Sequence, residues 1–404
     1  MANGQRILIA GAGPVGAVTA LALAQRGFAV SVFEAAARIE DAPRAATTHP
    51  ATLELLADLS LVDEVIQQGL TARHFQFWDR PSGALIAEFD HEVLRQDTRF
   101  PFVVQCEQHK LARIALARLQ ELAGAEVHFS MRVATVDERG GEVRVVVDSP
   151  SGRKEFRGAF LIGADGGRST VRKSLGIKFK GYTWPERFVV LTTPFDFAQE
   201  RGCCLRSYFS DPDEWANLFK VAGDDGKGRW RAVFPTRSEE TDDEAVSDAG
   251  AQQRLNRFFP KSGSYQITHR NLYTVHQRVA ETFRKGRVFL VGDAAHVNNP
   301  IGGLGLNCGI HDGVELAQRL ARFCGGDGGE DDLDLYDRRR RPINIEFVQR
   351  QTVGNKKRLE EKDAAVRIAN FEQLRKTAAD PAQHRQFLLR TSLIESMRQA
   401  ARMT

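Results

Sequence analysis

The chain has 404 residues, of which 42% are hydrophobic and 27% are charged, the composition of a globular protein with two or three domains. Its formal net charge of +4 is too small to indicate a nucleic-acid-binding protein. No apolar run approaches the roughly 18 residues of a membrane span, no secretory signal precedes the first strand-like segment, and the cysteines lack C-x-x-C spacing. We therefore expect a cytoplasmic protein with reduced thiols and no metal, nucleic acid or membrane as partner.

The first predicted elements are a strand, a glycine-rich turn and a helix. The apolar run Ile7–Ile9 precedes Gly11, Gly13 and Gly16, and an Ala- and Leu-rich segment follows. In such a G-x-G-x-x-G turn, the glycines permit the tight turn, the approach of a pyrophosphate and the packing of helix on strand. Glu34 ends the second predicted strand, where a carboxylate can accept hydrogen bonds from a ribose. The pattern predicts a dinucleotide site without choosing between NAD and FAD.

Two aromatic-rich stretches, residues 71–100 and 181–275, alternate short strand-like pieces with turns. They predict a mainly antiparallel sheet in a discontinuous second domain. An apolar cavity between two domains is the usual site for a small ligand. The candidate pocket walls, for which core packing is the simpler alternative, are Trp78, Tyr182, Tyr208, Trp215 and Trp230. The arginines that are candidates for a substrate carboxylate, with a solvated position as the alternative, are Arg206, Arg231 and Arg237.

The strand-and-glycine pattern occurs twice more. An apolar strand at 159–162 leads to Asp165, and the strand Val288–Val291 leads to Asp293 and the glycine-rich loop 302–305. The carboxyl ends of parallel strands share one sheet edge, which is where open α/β sheets bind ligands. The three loops are therefore expected to line one ligand site.

The last part of the chain is predicted to be helical and highly charged. It follows the acidic, glycine-rich segment 325–332. The basic run Arg338–Arg341 lies just before Pro342, and we interpret it as a solvated helix face rather than an anion-binding patch.

The three motifs in this order resemble those of the single-component flavoprotein aromatic hydroxylases of the p-hydroxybenzoate hydroxylase type. They are the G-x-G-x-x-G start, the segment GADGGRSTVR at 163–172 and the segment GDAAH…P…GLGLN at 292–307. The resemblance covers about residues 5 to 350 and implies an α/β fold with three parts. These are a discontinuous Rossmann-like FAD-binding domain (1–70, 101–180 and 276–330), a discontinuous, mainly antiparallel β-sheet substrate domain (71–100 and 181–275) and a C-terminal helical region (331–404).

The resemblance also implies which residues hold FAD. The glycines of the first motif would cradle the pyrophosphate, Glu34 would bind the adenosine ribose, and Asp293 would bind the ribityl chain. For Arg44 and Gln105, an exposed arginine and a helix-capping glutamine are the alternatives. The full implied set is Gly11, Gly13, Pro14, Val15, Gly16, Glu34, Arg44, Gln105, Asp165, Gly292, Asp293, Pro300, Gly303, Gly305, Leu306 and Asn307, with Pro300 also facing the substrate.

The implied activity is that of an FAD-dependent monooxygenase. In the family reaction NADH or NADPH reduces FAD, O₂ forms a flavin C4a-hydroperoxide, and oxygen passes to a phenol, a hydroxybenzoate-like ring or a hydroxylated N-heteroaromatic. The partners are thus a small aromatic substrate and O₂, and a homodimer is the oligomeric state considered. A base that ionises the substrate would assist. The candidate bases are His49, His74, His269 and His276, whereas His296 is expected to hold the loop.

Alternatives remain open from the sequence alone. A same-fold FAD oxidoreductase acting on a non-aromatic or polyketide substrate would differ only in the substrate domain. A flavin-dependent halogenase is disfavoured because its tryptophan-rich motif is missing after the first helix. A non-catalytic dinucleotide-binding protein would not need the second and third motifs.

Overall fold

The computed structural model describes residues 5–41, 44–237 and 239–404. The strands, numbered along the chain, are β1 (Arg6–Ala10), β2 (Ala29–Phe33), β3 (Thr47–Thr48), β4 (Leu70–Ala72), β5 (His74–Asp79), β6 (Ala84–Asp90), β7 (Val103–Gln105), β8 (Ala125–His128), β9 (Arg132–Arg139), β10 (Glu142–Ser149), β11 (Gly152–Gly158), β12 (Phe160–Gly163), β13 (Phe179–Thr193), β14 (Arg206–Ser210), β15 (Ala216–Val221), β16 (Arg229–Pro235), β17 (His269–Ala280), β18 (Arg284–Lys285), β19 (Val288–Leu290) and β20 (His296–Val297).

The helices surround these strands and also form the C-terminal region. They are α1 (Pro14–Ala24), α2 (Pro50–Asp58), α3 (Val62–Gln68), α4 (Gln108–Gln120), α5 (Thr170–Ser174), α6 (Phe197–Arg201), α7 (Asp242–Val246), α8 (Asp248–Phe258), α9 (Gly305–Gly325), α10 (Glu330–Ile343), α11 (Arg350–Leu359), α12 (Ala364–Ala379), α13 (Pro381–Thr391) and α14 (Ile394–Arg402). The shorter turns are 3₁₀-helical at His91–Leu94 and Gly292–Ala294 and π-helical at Asn344–Gln349.

A six-stranded sheet carries all three glycine motifs. Its strand order is β18-β19-β12-β1-β2-β8, and every pair is parallel except β18–β19. The residues Ile7–Ile9 of β1 are fully buried, because helices cover both faces of such a sheet. The carboxyl ends of β1, β12 and β19 are neighbours, so the loops that follow them meet at one edge, as the sequence predicts.

An eight-stranded sheet forms the second layer, in the order β20-β17-β13-β16-β15-β14-β5-β6. All neighbours are antiparallel except β14 and β5, which are parallel. Two smaller sheets, β11-β10-β9 and β3-β7-β4, complete the fold. The predicted α/β fold class with a largely antiparallel second sheet is confirmed.

The proposed domain boundaries do not coincide with the ends of strands. The boundary at 180/181 lies within β13, a strand of 15 residues, and the boundary at 275/276 lies within β17, a strand of 12 residues. The paired ends of these strands, Phe179 and Ala280, pack in the same hydrophobic cluster as the six-stranded sheet, and β20 also pairs with β17. These long shared strands fix the two layers against each other, and a division at single residues underestimates this continuity.

The C-terminal region is helical, and it packs on the rest of the protein rather than extending from it. Its first helix, α10, contains Pro342, and the π-helical turn Asn344–Gln349 follows directly. The expectation of a solvated face for Arg338–Arg341 is wrong for Arg340, which is 1% exposed. Its guanidinium forms an ion pair with the buried Asp312 of α9 at 2.8 Å. In the described part of the chain, no helix is long and apolar enough to cross a membrane.

Candidate active site

The glycines of the first motif have different structural roles. Gly11 has a φ of +100°, and a Cβ there would lie 2.4 Å from the carbonyl oxygen of Ala164. A Cβ on Gly16 would lie 2.0 Å from the carbonyl oxygen of Gly11. Both glycines are therefore required by the packing of the protein itself. A Cβ on Gly13 would meet no protein atom within 4 Å, so Gly13 is the position that leaves the backbone open to a ligand.

Glu34 lies beside this turn. Its two carboxylate oxygens accept hydrogen bonds from the backbone N–H groups of Ala12, at 2.8 Å, and Ala36, at 2.9 Å. The carboxylate is thus held at the end of β2, next to the mouth of the glycine turn. Each oxygen retains further lone pairs that can accept a hydrogen bond from a ligand hydroxyl.

Val15 joins the first motif to the third. Pro14 is the first residue of α1, which no side chain caps, so its terminal N–H groups and dipole remain available to an anion. The Val15 side chain would be 3.1 Å from a Cβ on Gly292 and 2.7 Å from one on Gly309. This close packing brings the Gly292-Asp293 turn next to the start of α1.

Asp293 lies in a cleft between these motifs. Its side chain is open to solvent, yet protein surrounds it closely enough for desolvation to raise its pKa, while His296 and Arg44 act in the opposite direction. Arg44 is exposed, and its carbonyl accepts a hydrogen bond from Arg231 at 2.9 Å. A carboxylate in such a cleft is suited to hydroxyl donors of a bound group.

Two buried polar atoms at this edge lack a partner among the described residues. Gln105 accepts a hydrogen bond from Thr47 at 2.9 Å, but its Nε2 has no acceptor. Asp165 accepts hydrogen bonds from the N–H groups of Thr170 and Val171 through Oδ2, while its Oδ1 has no donor. Since buried polar groups are rarely left unpaired, these atoms, together with the open Gly13, fit a dinucleotide such as FAD.

The loop at 300–307 is shaped by contacts within the protein. Gly303 has a φ of +69°, and a Cβ there would lie 2.9 Å from the Cβ of Thr47. The Asn307 amide donates to the carbonyls of Thr47 and Gly303 and accepts from the N–H of His49. Its side-chain amide is therefore fully used within the protein, so it is not available to a ligand. Pro300 is exposed, and the N-terminus of α9 at Gly305 and Leu306 has no side-chain cap.

A small cavity lies against this loop. Its lining combines aromatic and aliphatic side chains with a few polar ones. The lining residues are His49, Phe75, Phe77, His91, Arg206, Tyr208, Ile301, Gly302, Gln351, Asn355, Leu359, Phe387 and Thr391.

Arg206 is the cation of the cavity. It is 6% exposed, its Nη2 donates to the hydroxyl of Tyr208 at 3.1 Å, and its guanidinium carbon lies 5.3 Å from the ring centre of Phe75. Within the described part of the chain, no carboxylate forms an ion pair with it. A buried charge without a counter-ion is costly, so this position favours an anionic or oxygen-rich group on the ligand.

Two histidines of the cavity are held in their neutral form. Desolvation and the nearby Arg206 place the pKa of His49 well below its usual value, and the same causes lower the pKa of His91 to about 3. His91 was not among the candidate residues, because its position after β6 carries no motif that sequence inspection would single out.

The C-terminal region supplies one wall that the sequence did not predict. Gln351 and Asn355 of α11 and Thr391 of α13 line the cavity. Asn355 donates to the carbonyl of Ile301 at 3.2 Å, which ties this wall to the loop. The preceding π-helical turn changes which side chains of the following helix face inward, and helical periodicity in the sequence gives no sign of it.

Strand alternation sorts the aromatic residues proposed as pocket walls. Successive side chains of a strand point to opposite faces, and Tyr208 of β14 points to the cavity. Trp78 and Trp230 point to the other face, where they pack with Phe209 and the helix α8, so their assignment to the pocket is wrong.

Two further aromatic candidates also lie outside the cavity lining. Tyr182 is 44% exposed and does not line the cavity. Trp215 packs behind the wall, in a cluster with Ile301 and Leu359. Of the candidate arginines, Arg237 is exposed.

Three of the four candidate bases are also misplaced. His74 pairs with Glu88 at 3.4 Å on β5, outside the cavity lining. His269 is exposed at the start of β17, and His276 is an exposed residue that contacts Thr183 at 2.9 Å. Of the four candidate bases, only His49 lines the cavity. His296 is buried and bonds to Asp312, in agreement with the expected structural role.

Comparison with known proteins agrees with this architecture. Residues 5–351 match the FAD binding domain family. The chain is 34% identical over 390 residues to para-nitrophenol 4-monooxygenase of Pseudomonas sp. (strain WBC-3), covering 95% of this chain and 94% of the relative. It is 34% identical over 364 residues to 6-hydroxy-3-succinoylpyridine 3-monooxygenase of Pseudomonas putida (strain DSM 28022 / S16), covering 89% and 90%.

Solved structures give the same result. The crystal structure of p-nitrophenol 4-monooxygenase from Pseudomonas putida DLL-E4 superposes with a TM-score of 0.91 at 30% identity and covers 98% of both chains. Together with the three motifs at one sheet edge, these similarities show that the chain belongs to the FAD-dependent class A flavoprotein aromatic hydroxylases.

Proposed function

We propose that this FAD-dependent monooxygenase acts on a small hydroxy-aromatic compound that carries a second, oxygen-rich group, a nitro or carboxylate group, which binds to Arg206. The observation that carries the proposal is the buried guanidinium of Arg206, which has no ion-pair partner in the described chain and faces a cavity lined by Phe75 and Phe77. A flat aromatic ring would pack against these phenyl groups, and the guanidinium would meet its polar substituent.

The relatives' names support this substrate class. Para-nitrophenol and 6-hydroxy-3-succinoylpyridine are the compounds named for two relatives that align along most of the chain. Each has a ring hydroxyl and, away from it, an oxygen-rich substituent. O₂ is the proposed co-substrate and NADH or NADPH the electron donor, and the five free cysteines support a reducing, cytoplasmic setting.

We assign FAD to the groove that leads to this cavity. Gly13 and the start of α1 would bind the pyrophosphate, Glu34 the adenosine ribose, and Asp293 and Gln105 the ribityl chain. Bound FAD supplies the electron transfer and oxygen activation of the reaction. The cavity residues would orient the aromatic ring of the substrate against the loop at Ile301–Gly302. The apolar side chains of the lining would exclude water from the bound substrate.

The test is anaerobic reduction of the FAD-loaded enzyme by NADH and by NADPH, with a panel of phenols that carry nitro, carboxylate or no second substituent. We expect nitro and carboxylate compounds to accelerate reduction and to be hydroxylated. Arg206→Gln should raise KM for them at least about tenfold and change KM for unsubstituted phenol much less. Equal effects on all phenols would refute the role of Arg206.

A further inference from the structure

The tautomer of His49 follows from one contact. Its Nε2 lies 2.8 Å from the carbonyl oxygen of Gly302. A carbonyl oxygen only accepts hydrogen bonds, so Nε2 must carry the hydrogen and Nδ1 of the neutral ring must carry a lone pair. This Nδ1 is buried and has no donor partner among the described residues. His49 lines the cavity, so it brings to this site a side chain with one unsatisfied hydrogen-bond acceptor.

Two more side chains of the cavity are acceptors for the same kind of reason. Nδ1 of His91 lies 2.7 Å from the carbonyl oxygen of Arg73, which leaves Nε2 of the neutral ring as the lone-pair nitrogen. Oε1 of Gln351 is buried and has no donor in the described chain. Among the described lining residues, the cavity thus combines one cation without an ion-pair partner, Arg206, with two unsatisfied acceptors, on His49 and Gln351, and a further acceptor on His91.

A phenolate can pair with the cation Arg206, but it leaves the acceptor of His49 without a hydrogen-bond donor. Its oxygen binds well to Arg206, but it has no hydrogen to donate and repels the lone pair of His49. A neutral ring hydroxyl can donate its hydrogen to His49. The oxygen-rich group elsewhere on the same ring then binds to Arg206. Leaving a buried acceptor unpaired is unfavourable, so this difference selects the protonation state of the ligand.

We propose that the substrate binds with its ring hydroxyl protonated, donating its hydrogen to Nδ1 of His49, with Gln351 as the second acceptor. This inference rests on the proposed function and adds to it the form in which the substrate is recognised. The charged and titratable groups that face His49 are Arg206 of β14, His91 of the 3₁₀ turn and His311 of α9. These groups and burial keep the imidazole neutral, so its acceptor role persists across the neutral pH range.

The first test measures the dissociation constant of 4-nitrophenol for the oxidised, FAD-loaded enzyme from the change in flavin absorbance between about pH 6 and pH 9. We expect the dissociation constant to rise about tenfold per pH unit above the pKa of the free phenol, because only the neutral form binds. A more acidic, ring-halogenated nitrophenol must show the same rise at its own lower pKa. A dissociation constant that falls as the phenol ionises would overturn the proposal.

The second test removes the donor or the acceptor. The methyl ether 4-nitroanisole, which has no donor, should bind the wild type at least about tenfold more weakly than 4-nitrophenol. His49→Gln should reduce this preference, whereas the exposed control His269→Gln should leave it unchanged. Equal binding of ether and phenol by the wild type would also overturn the proposal, and this comparison does not depend on the folding of any variant.

The results that would overturn the role of His49 differ from those that would overturn the proposed function. Preferential binding of phenolate together with normal hydroxylation of nitrophenols would overturn the role of His49 and leave the proposed function intact. Absence of hydroxylation and of accelerated flavin reduction with all nitro- and carboxyphenols would overturn the proposed function itself.

Discussion

Asp312 and His296 form a buried pair in which Nε2 of His296 lies 2.7 Å from Oδ2 of the carboxylate, and neither side chain is accessible to solvent. Oδ1 of the same carboxylate accepts from Nε of Arg340 at 2.8 Å, and the N–H of Gly292 donates to Oδ2 at 3.3 Å. Asp312 therefore connects the Gly292-Asp293 turn, the helix α9 and the first helix of the C-terminal region. One buried carboxylate thus holds the backbone of this turn, which is part of the proposed cofactor site, next to the C-terminal region.

Asp312→Ala should destabilise the protein strongly. Removing one partner of a buried ion pair leaves Arg340 uncompensated, and such changes cost about 3–5 kcal/mol. The measurement is urea unfolding of the FAD-loaded protein, followed by far-UV circular dichroism. The matched control is Arg338→Ala, since Arg338 pairs with Asp331 on the exposed side of the same helix, and it should leave the midpoint near that of the wild type. Equal midpoints for the two variants would contradict this role of Asp312.

The same carboxylate predicts a dependence of stability on pH. Burial alone would raise the pKa of Asp312, but His296 and Arg340 outweigh it, and the pKa lies below its usual value. A depressed carboxyl pKa contributes stability above the unfolded-state pKa of about 3.9, and this contribution is lost as the pH falls through the folded-state pKa. The stability difference between wild type and Asp312→Asn should therefore shrink as the pH falls below about 4. A difference that grows on acidification would be inconsistent with this sign.

The parts of the site that were predictable from sequence are those built by local spacing. Gly11, Gly13 and Gly16 belong to one turn, and their strand and helix can be read from the adjacent residues. The meeting of the three loops also follows from a general property of parallel sheets. For this reason the fold class and the candidate cofactor groove could be described before the structure.

The substrate cavity was not predictable in the same way. Its lining combines residues more than 300 positions apart, such as His49 and Phe387, and no periodicity in the sequence indicates that they share a cavity. Trp78 and Trp230 are aromatic, as a pocket wall would be, but their positions in the strands direct the side chains to the opposite face of the sheet. In the sequence, Arg340 cannot be distinguished from the other arginines of the basic run. Only the structure shows that it is buried and paired with Asp312.

Gly313→Ala should destabilise the protein through one contact. A Cβ at this position would lie 2.0 Å from Oγ1 of Thr19, where α9 crosses α1, and overpacking of this kind costs about 1–3 kcal/mol. The contact also explains why glycine follows Asp312 here. Thermal unfolding should show a loss for Gly313→Ala and a smaller additional loss when Thr19→Ala is already present. Full additivity of the two changes would argue against the clash.

The control for this substitution is another helical glycine. Gly354 lies in α11, and a Cβ there would meet no atom within 4 Å. Gly354→Ala should therefore stabilise the protein by about 0.5–1 kcal/mol, because alanine favours the helix. A loss of stability in both variants would show that helical packing, rather than the contact with Thr19, is responsible.

Gly13→Ala should separate folding from cofactor binding. A methyl group at Gly13 contacts no protein atom, so the unfolding midpoint of the cofactor-free protein should stay near that of the wild type. The same methyl group occupies the space that we assign to the pyrophosphate, so the dissociation constant of FAD should rise by more than about tenfold, as measured by the quenching of flavin fluorescence on titration with protein. Gly16→Ala is the matched comparison, because its Cβ would overlap the carbonyl of Gly11 and should lower the stability of the cofactor-free protein itself. If Gly13→Ala retained FAD with wild-type affinity, the pyrophosphate would have to lie elsewhere, and the assignment of this turn to the cofactor would be wrong.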